Sequence, residues 1–283
     1  MIRFLAAFIL FPIIAMAQPL GDDGFARLAA AQIVVLGESH DNPAHHQTQA
    51  DIIARMSPTA VVYEMLTTDQ AAVVRVDLVS DQSALEQALG WNGTGWPDFS
   101  MYYPIFAASP LAAVYGAAVP RETARQAMKD GIFAAFGADA GTYGLDVPLT
   151  DKQQATREAL QMAAHCDALP PELLPAMVDV QRLRDARLAQ TALRALNETG
   201  GPVVVITGNG HARADWGVPA AIKTARPDVT TVSVGQGEDG AAPRGAFRSC
   251  LAVPVCRARR PLSGIYQAVM GLAEPALAAY GSA

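Results

Sequence analysis

Short apolar runs rich in β-branched residues alternate along this chain with longer stretches in which apolar residues recur every three or four positions. The first run, residues 32–36, reads Gln-Ile-Val-Val-Leu and ends at Gly37, the pattern of a strand buried on both faces. Asn42-Pro43 then supplies an N-cap followed by proline at the first helical position. That start predicts a helix through Met56 that stops before Pro58. Residues 60–63 form a second buried strand, with Glu64 at its carboxyl end. Strand, helix and strand in this order imply a right-handed parallel crossover.

The pattern continues in the same manner. Residues 69–79, 83–89 and 99–108 read as helical, 110–119 as a third strand, 121–136 as helical and 137–144 as a loop. From 150 to 197 the chain is strongly helical, broken at Pro170-Pro171. Met177, Val180, Leu183 and Ala186 recur there with Gln181, Arg182, Arg184 and Asp185 between them. This stretch reads as a helical cap inserted in the domain. Pro-Val-Val-Val-Ile-Thr at 202–207 is the clearest buried strand. A helix over 215–225 and a strand over 229–234 follow. The expected fold is α/β, an open and mainly parallel central sheet flanked by helices and carrying a helical cap.

Composition sets the compartment. Arg3, the apolar run 4–15 and Ala15-Met16-Ala17 have the form of a secretory signal peptide, cleaved near Ala17/Gln18. The run is short for a permanent membrane span. The expected product is exported to the periplasm or cell envelope, with an α/β domain over 18–240 and an atypical tail over 241–283. The net charge of −6 is spread along the chain without a basic block, which argues against nucleic acid as a partner. Cys166, Cys250 and Cys256 leave a disulfide possible in an oxidising compartment, without a CxxC pair and without a defined pairing.

The chemistry lies where the strands end. In open parallel sheets, ligands bind outside the carboxyl ends of the strands. Three of the strands run into Glu38 and His40, into Glu64, and into Gly208-Asn-Gly-His211. Two carboxylates and two imidazoles brought to one edge are costly unless they hydrogen bond, pair or hold a cation. Glu38, His40, Glu64 and His211 are therefore candidate ligands of a divalent metal such as zinc or manganese, or the acid–base set of a hydrolase. His45 and His46 lie in the first turn of the helix opened by Asn42-Pro43. Helical spacing expects one of them in the pocket, with His46 a candidate ligand, and the other in solvent. A dinucleotide reading of Gly208–Arg213 fails because Arg213 occupies the third glycine position. Neither a G-x-S-x-G elbow, an HExxH helix nor a P-loop occurs.

Aromatic residues concentrate in one segment: Trp91, Trp96, Phe99, Tyr102, Tyr103 and Phe106. Glycine and proline interrupt its first half, so it can wall a large flat ligand as well as pack as a core. A tyrosinate can ligate haem iron, which makes Tyr102 and Tyr103 candidates. Arg121 and Arg182 are candidate partners for ligand carboxylates.

These residues carry a resemblance. Val35-Leu-Gly37-Glu38-Ser-His40-Asp-Asn-Pro43 with His45-His46-Gln47, Tyr63-Glu64-Met65, Gly95-Trp96-Pro97-Asp98, Tyr102-Tyr103-Pro104, Pro120-Arg121-Glu122, Gln181-Arg182-Leu183-Arg184-Asp185-Ala186 and Gly208-Asn-Gly-His211-Ala-Arg213 resemble, in order, the motifs of the ChaN-like haem-binding uptake proteins. These sit in a wider superfamily of Tiki- and erythromycin-esterase-like proteins. The resemblance implies an exported haem-binding protein of iron acquisition, a homodimer with a tyrosine ligand, and haem-transport partners in the envelope. It also implies that Glu38, His40, Glu64 and His211 match the active-site positions of hydrolytic relatives. His40, His46, Tyr102, Tyr103, Arg121, Arg182 and His211 are the residues expected around haem. After Gln236 the sequence departs from the family pattern into an irregular, basic tail, as an altered reading frame would produce.

Overall fold

A computed structural model describes residues 20–165, 167–247 and 249–253. The expected signal peptide, Cys166 and Cys256 lie outside the described residues, as does most of the tail. The described order is α1 (Asp22–Ala29), β1 (Ile33–Glu38), α2 (Pro43–Met56), β2 (Ala60–Tyr63), α3 (Thr68–Ala72), α4 (Val76–Val79), α5 (Gln82–Leu89), α6 (Phe99–Ala107) and β3 (Ala113–Gly116). Then come α7 (Arg121–Asp130), α8 (Ile132–Phe136), α9 (Asp151–Ala164), α10 (Leu174–Thr199), β4 (Val203–Gly208), α11 (Val218–Ala225), β5 (Thr231–Glu238) and β6 (Ser249–Val253). Among the described residues no helix is long and apolar enough to cross a membrane.

The six strands form one sheet in the order β3-β2-β4-β1-β5-β6, and every pairing is parallel. Alternate residues of a strand face opposite sides, and the core divides accordingly. Val34, Leu36, Val61, Tyr63, Val204 and Ile206 pack with Ile53, Leu85, Phe99, Ile105 and Phe106 in one layer. Ile33, Val35, Val62, Val203 and Val205 pack with Leu188, Ala192, Leu196, Val218 and Ile222 in the other. Helices covering both faces explain why the strands are continuous apolar runs rather than alternating ones.

Three expectations change. The second half of α10 lies against the sheet through Leu188, Ala192 and Leu196, so the cap is α9 with only the first half of α10. The tail supplies β6, paired parallel to β5 from Val234↔Ser249 to Glu238↔Val253, so the sheet extends past residue 240. The helical reading of 121–136 divides into two at Gly131, whose φ of 88° ends α7.

The strand order positions the site. The strand β4, late in sequence, inserts between β1 and β2, with Glu38 opposite Gly208 and Tyr63 opposite Ile206. Glu38 and Glu64 therefore emerge on either side of the carboxyl end of β4. The loop after β4 packs closely on β1: a Cβ on Gly37 would lie 2.6 Å from Asn209 Oδ1 and 2.9 Å from Ala212 Cβ. Glycine at 37 is what permits this approach.

Candidate functional site

Glu38, the last residue of β1, is 2% exposed and gathers three side chains. Its Oε1 accepts from His40 Nδ1 at 2.8 Å and from the Tyr102 hydroxyl at 3.1 Å. Its Oε2 lies 3.2 Å from His46 Nε2, an ion-pair distance without hydrogen-bond alignment. The His46 ring also lies against Tyr102, with centroids 4.2 Å apart. Burial alone would raise the Glu38 pKa, but the His46 charge and the His40 and His46 contacts outweigh it and hold the carboxyl well below the usual range. Burial works against the charged form of His40 too, yet its bond to Glu38 and the nearby Glu64, Glu38 and Asp41 raise its pKa above the ordinary value.

This contact decides the roles of the two His40 nitrogens. With Nδ1–H committed to Glu38, Nε2 of the neutral ring carries the lone pair, the arrangement that prepares an imidazole to ligate a metal or take a proton. Nε2 has no hydrogen-bond partner among the described residues, and the side chain is 23% exposed. It passes directly over the end of β4: a Cβ on Gly208 would lie 2.9 Å from Nε2 and 3.1 Å from Cε1. Gly208→Ala is thus expected to displace the tethered imidazole and to lower stability by about 1–3 kcal/mol. A urea midpoint and a hemin titration check it; a variant that matches the parent in both would show that His40 has room elsewhere.

Glu64, just past β2, forms the other half of the cluster. Its Oε2 accepts from Thr207 Oγ1 at 2.6 Å and from the Gly208 N–H at 2.9 Å. Its Oε1 lies 3.5 Å from His211 Nε2. The opposite ring nitrogen, Nδ1, pairs with Asp185 Oδ1 at 2.7 Å, so His211 bridges two carboxylates. Burial opposes charge on Glu64, but His211, His40 and the two hydrogen bonds lower its pKa. Burial also opposes a charged His211, and Glu64 and Asp185 overcome it, raising the pKa. At Asp185 burial prevails and the pKa is raised despite His211.

Asp185 is the residue that the sequence pattern conceals. It sits on α10 among Arg182, Arg184 and Arg187, where it reads as part of a solvated face, yet it is only 5% exposed. Its place in the family-like segment Gln181–Ala186 was the available signal. Arg184 adds a positive charge facing Glu64 and Asp185, its own pKa lowered by burial.

The histidine pair is also placed differently than helical spacing suggests. Neither ring meets solvent, since His45 and His46 are both 0% exposed. The Ser39 N–H donates to His45 Nδ1 at 2.8 Å, and His45 Nε2 lies 3.3 Å from the Gly237 carbonyl. The start of α2 packs on the end of β5, which His45 meets through Gly237, and on α6, where His46 meets Tyr102, so both rings are enclosed. Burial lowers the His45 pKa and keeps the ring neutral, as acceptance from Ser39 requires. Gln236 Nε2 bonds the carbonyls of Gly37 and His45, and Asn209 ties the β4 loop to Gln236.

The remaining candidates separate. Trp96 meets the His40 ring edge-on, with centroids 4.9 Å apart, and exposed Arg121 places Nη2 3.6 Å from where a side chain on Gly95 would begin. Tyr102 is fully buried, and burial with the Glu38 charge raises its pKa well above the ordinary value, which opposes a tyrosinate ligand. Tyr103 donates its hydroxyl to the Val79 carbonyl at 3.0 Å. Arg182 donates to the carbonyls of Gly144 and Val147, bolting down a loop rather than reaching a ligand. A divalent metal on Glu38, His40, Glu64 and His211 also lacks support. Among the described residues no three His, Cys, Asp or Glu side chains converge to hold one, because the carboxylate oxygens already face histidines, hydroxyls and a backbone N–H.

With this geometry in place, comparison with known proteins decides the relationship. The haem-binding uptake family of the Tiki superfamily, ChaN, matches over residues 25–222. The chain belongs to this family. The match bears out the motif resemblance and spans β1 to α11, including every residue of the cluster. Among solved structures, one described as cofacial heme binding to ChaN of Campylobacter jejuni is similar at a TM-score of 0.60 and 20% identity, over 76% of this chain and 85% of that one. At that identity the likeness shows the shared fold. The type III effector HopBA1 is similar at a TM-score of 0.45 and 15% identity, over 87% and 100% of the two chains, too distant to carry an argument. No curated protein sequence matches.

Proposed function

We propose that this chain is an exported haem-binding protein of iron uptake, holding haem on the face where His40 meets Trp96, with Arg121 beside the neighbouring Gly95. The observation that carries the haem assignment is membership of the haem-binding uptake family over residues 25–222. The placement rests on His40, the imidazole of the cluster with an unbonded nitrogen, a carboxylate behind it and partial exposure. Glu38 orients the ring, Trp96 gives a flat apolar wall beside it, and Arg121 can meet a carboxylate of the ligand. Haem held there would bring the iron, and His40 would offer it a nitrogen ligand while Trp96 walls the ring. In this reading a second copy of the chain closes over the partly exposed His40, and delivery would involve haem-transport partners in the envelope.

The test is a hemin titration of the purified apo-protein followed by absorbance. A saturable, shifted Soret band at micromolar protein is expected, with affinity reduced about tenfold or more in His40→Ala. Absence of a saturable band overturns the haem reading. A band unchanged in His40→Ala but lost in Tyr103→Phe would keep haem and overturn the placement. Sedimentation with and without hemin reads the dimer, and amino-terminal sequencing of protein from the native envelope reads the cleavage.

A further inference from the structure

A cavity opens beside His211, where its ring meets Asp185. Its volume is about 200 Å³, and it lies between α9, the first half of α10 and the loop that follows β4. His211 and Asp185 form its inner end, and Leu160, Val178 and Trp216 give it apolar walls. Three guanidinium groups line the rest: Arg157, Arg213 and Arg244.

These arginines are not equivalent. Arg213 is neutralised by a two-pronged pair with Asp215, at 3.0 and 2.7 Å, and stands over Trp216 with Cζ 3.5 Å from the ring centroid. Arg244 is exposed at the mouth. Arg157, on α9, is different. It is half-buried, its Nε is enclosed without a hydrogen-bond partner, and no carboxylate among the described residues lies within ion-pair distance of it. The neighbouring Gln161 Oε1 is likewise enclosed and unbonded. Burial outweighs the more distant charge of Asp185 and, with Arg182 and Arg213 opposing and Asp215 supporting, lowers the Arg157 pKa, while its guanidinium stands over Trp216 with Cζ 5.1 Å from the ring centroid. A buried donor left unpaired costs about 1–3 kcal/mol, more for a charged group, and is retained in a cavity wall where an incoming acceptor can satisfy it.

We infer that this cavity receives the carboxylate of a small organic acid, with Arg157 as its counter-ion and Leu160 and Val178, beside Trp216, as the wall for its apolar body. The charge balance indicates a single negative charge, because Asp185 and Asp215 already stand beside the arginines and a dianion would be repelled by them. The cavity is smaller than the roughly 300–1,000 Å³ of sites that enclose a drug-sized molecule, so it admits a small acid or one carboxylate arm of a larger ligand. The inference does not rest on the haem reading. It places a recognition site beside His211, so that an occupant and His40 would both adjoin the same buried cluster.

Benzoate, with benzamide as its neutral counterpart, tests this on the full chain through tryptophan fluorescence. Saturable quenching by benzoate is expected, absent in Trp216→Phe and weakened about tenfold or more in Arg157→Gln, with partial recovery in Arg157→Lys. Benzamide is expected to bind about tenfold more weakly than benzoate to the parent chain. Thermal melting of each variant confirms folding. Equal responses to benzoate and benzamide, no quenching at all, or a folded Arg157→Gln that binds benzoate as well as the parent does would each overturn the proposal. A hemin titration of Arg157→Gln separates the two sources of the carboxylate: weaker hemin binding together with weaker benzoate binding assigns the arm to the porphyrin, and unchanged hemin binding assigns it to a separate acid.

Discussion

Replacing Glu38 with alanine is expected to destabilise the folded chain by about 3–5 kcal/mol, the loss found when one partner of a buried charged set is removed. The size follows from what Glu38 holds. Its carboxylate is the acceptor for His40 Nδ1 and the Tyr102 hydroxyl, and the counter-charge nearest to His46. Tyr102 and His46 are 0% exposed, so neither can recover its lost contact from water. Glu38→Gln separates geometry from charge. The amide oxygen can still accept from His40 and Tyr102, so the loss should be smaller, while the pKa of His40 falls because its anion is gone. Urea unfolding gives the stabilities, and NMR titration of the His40 ring gives the second effect. An alanine variant within about 1 kcal/mol of the parent would show that the cluster is not held by Glu38.

Much of this site was legible because strand ends are legible. The apolar runs before Gly37, Glu64 and Gly208 each stop at a polar group, and all-parallel pairing brings such ends to one edge. The insertion of β4 between β1 and β2 was not legible. Nothing local in Val203–Gly208 states which strands it will separate, yet that placement puts His211 beside Glu64 and His40 over Gly208. Asp185 was missed for a related reason: on an amphipathic helix a carboxylate between arginines has the period of a solvated face, and only tertiary packing buries it. His45 and His46 depart from the helical rule because the two sides of α2 on which they lie are covered by different neighbours, the end of β5 and α6. The strand β6, five residues reading Ser-Cys-Leu-Ala-Val, has too little pattern to stand out from an irregular tail, and its partner β5 defines it.

Stability of the haem-free chain is expected to peak between about pH 4.5 and 6.5 as far as the raised histidines and lowered glutamates govern it, with separate causes for the fall on each side. His40 and His211 have folded pKa values raised above 6.5, so they bind protons more tightly folded than unfolded. Their contribution is complete below the unfolded value and is lost as the pH rises from 6.5 through the folded values. Glu38 and Glu64 have lowered values, so their contribution is complete above 4.5 and is lost as the pH falls through the folded values. His45, lowered by burial, adds an earlier loss as the pH drops below 6.5, because charging the ring breaks acceptance from the Ser39 N–H. Asp185, raised by burial, acts in the other direction and blunts the acid-side fall. On the alkaline side the slope can reach about 1.4 kcal/mol per pH unit for each imidazole that is protonated only in the folded state. The double variant His40→Gln with His211→Gln should lose that alkaline decline, and its acid-side fall should shrink to what Glu38 (through His46) and His45 contribute, because Glu64 loses the two charges that lower it. Urea unfolding across pH 4 to 9 measures it. A decline of equal slope in the double variant would place its origin outside the cluster, and would separate the raised pKa values from any role in holding the fold.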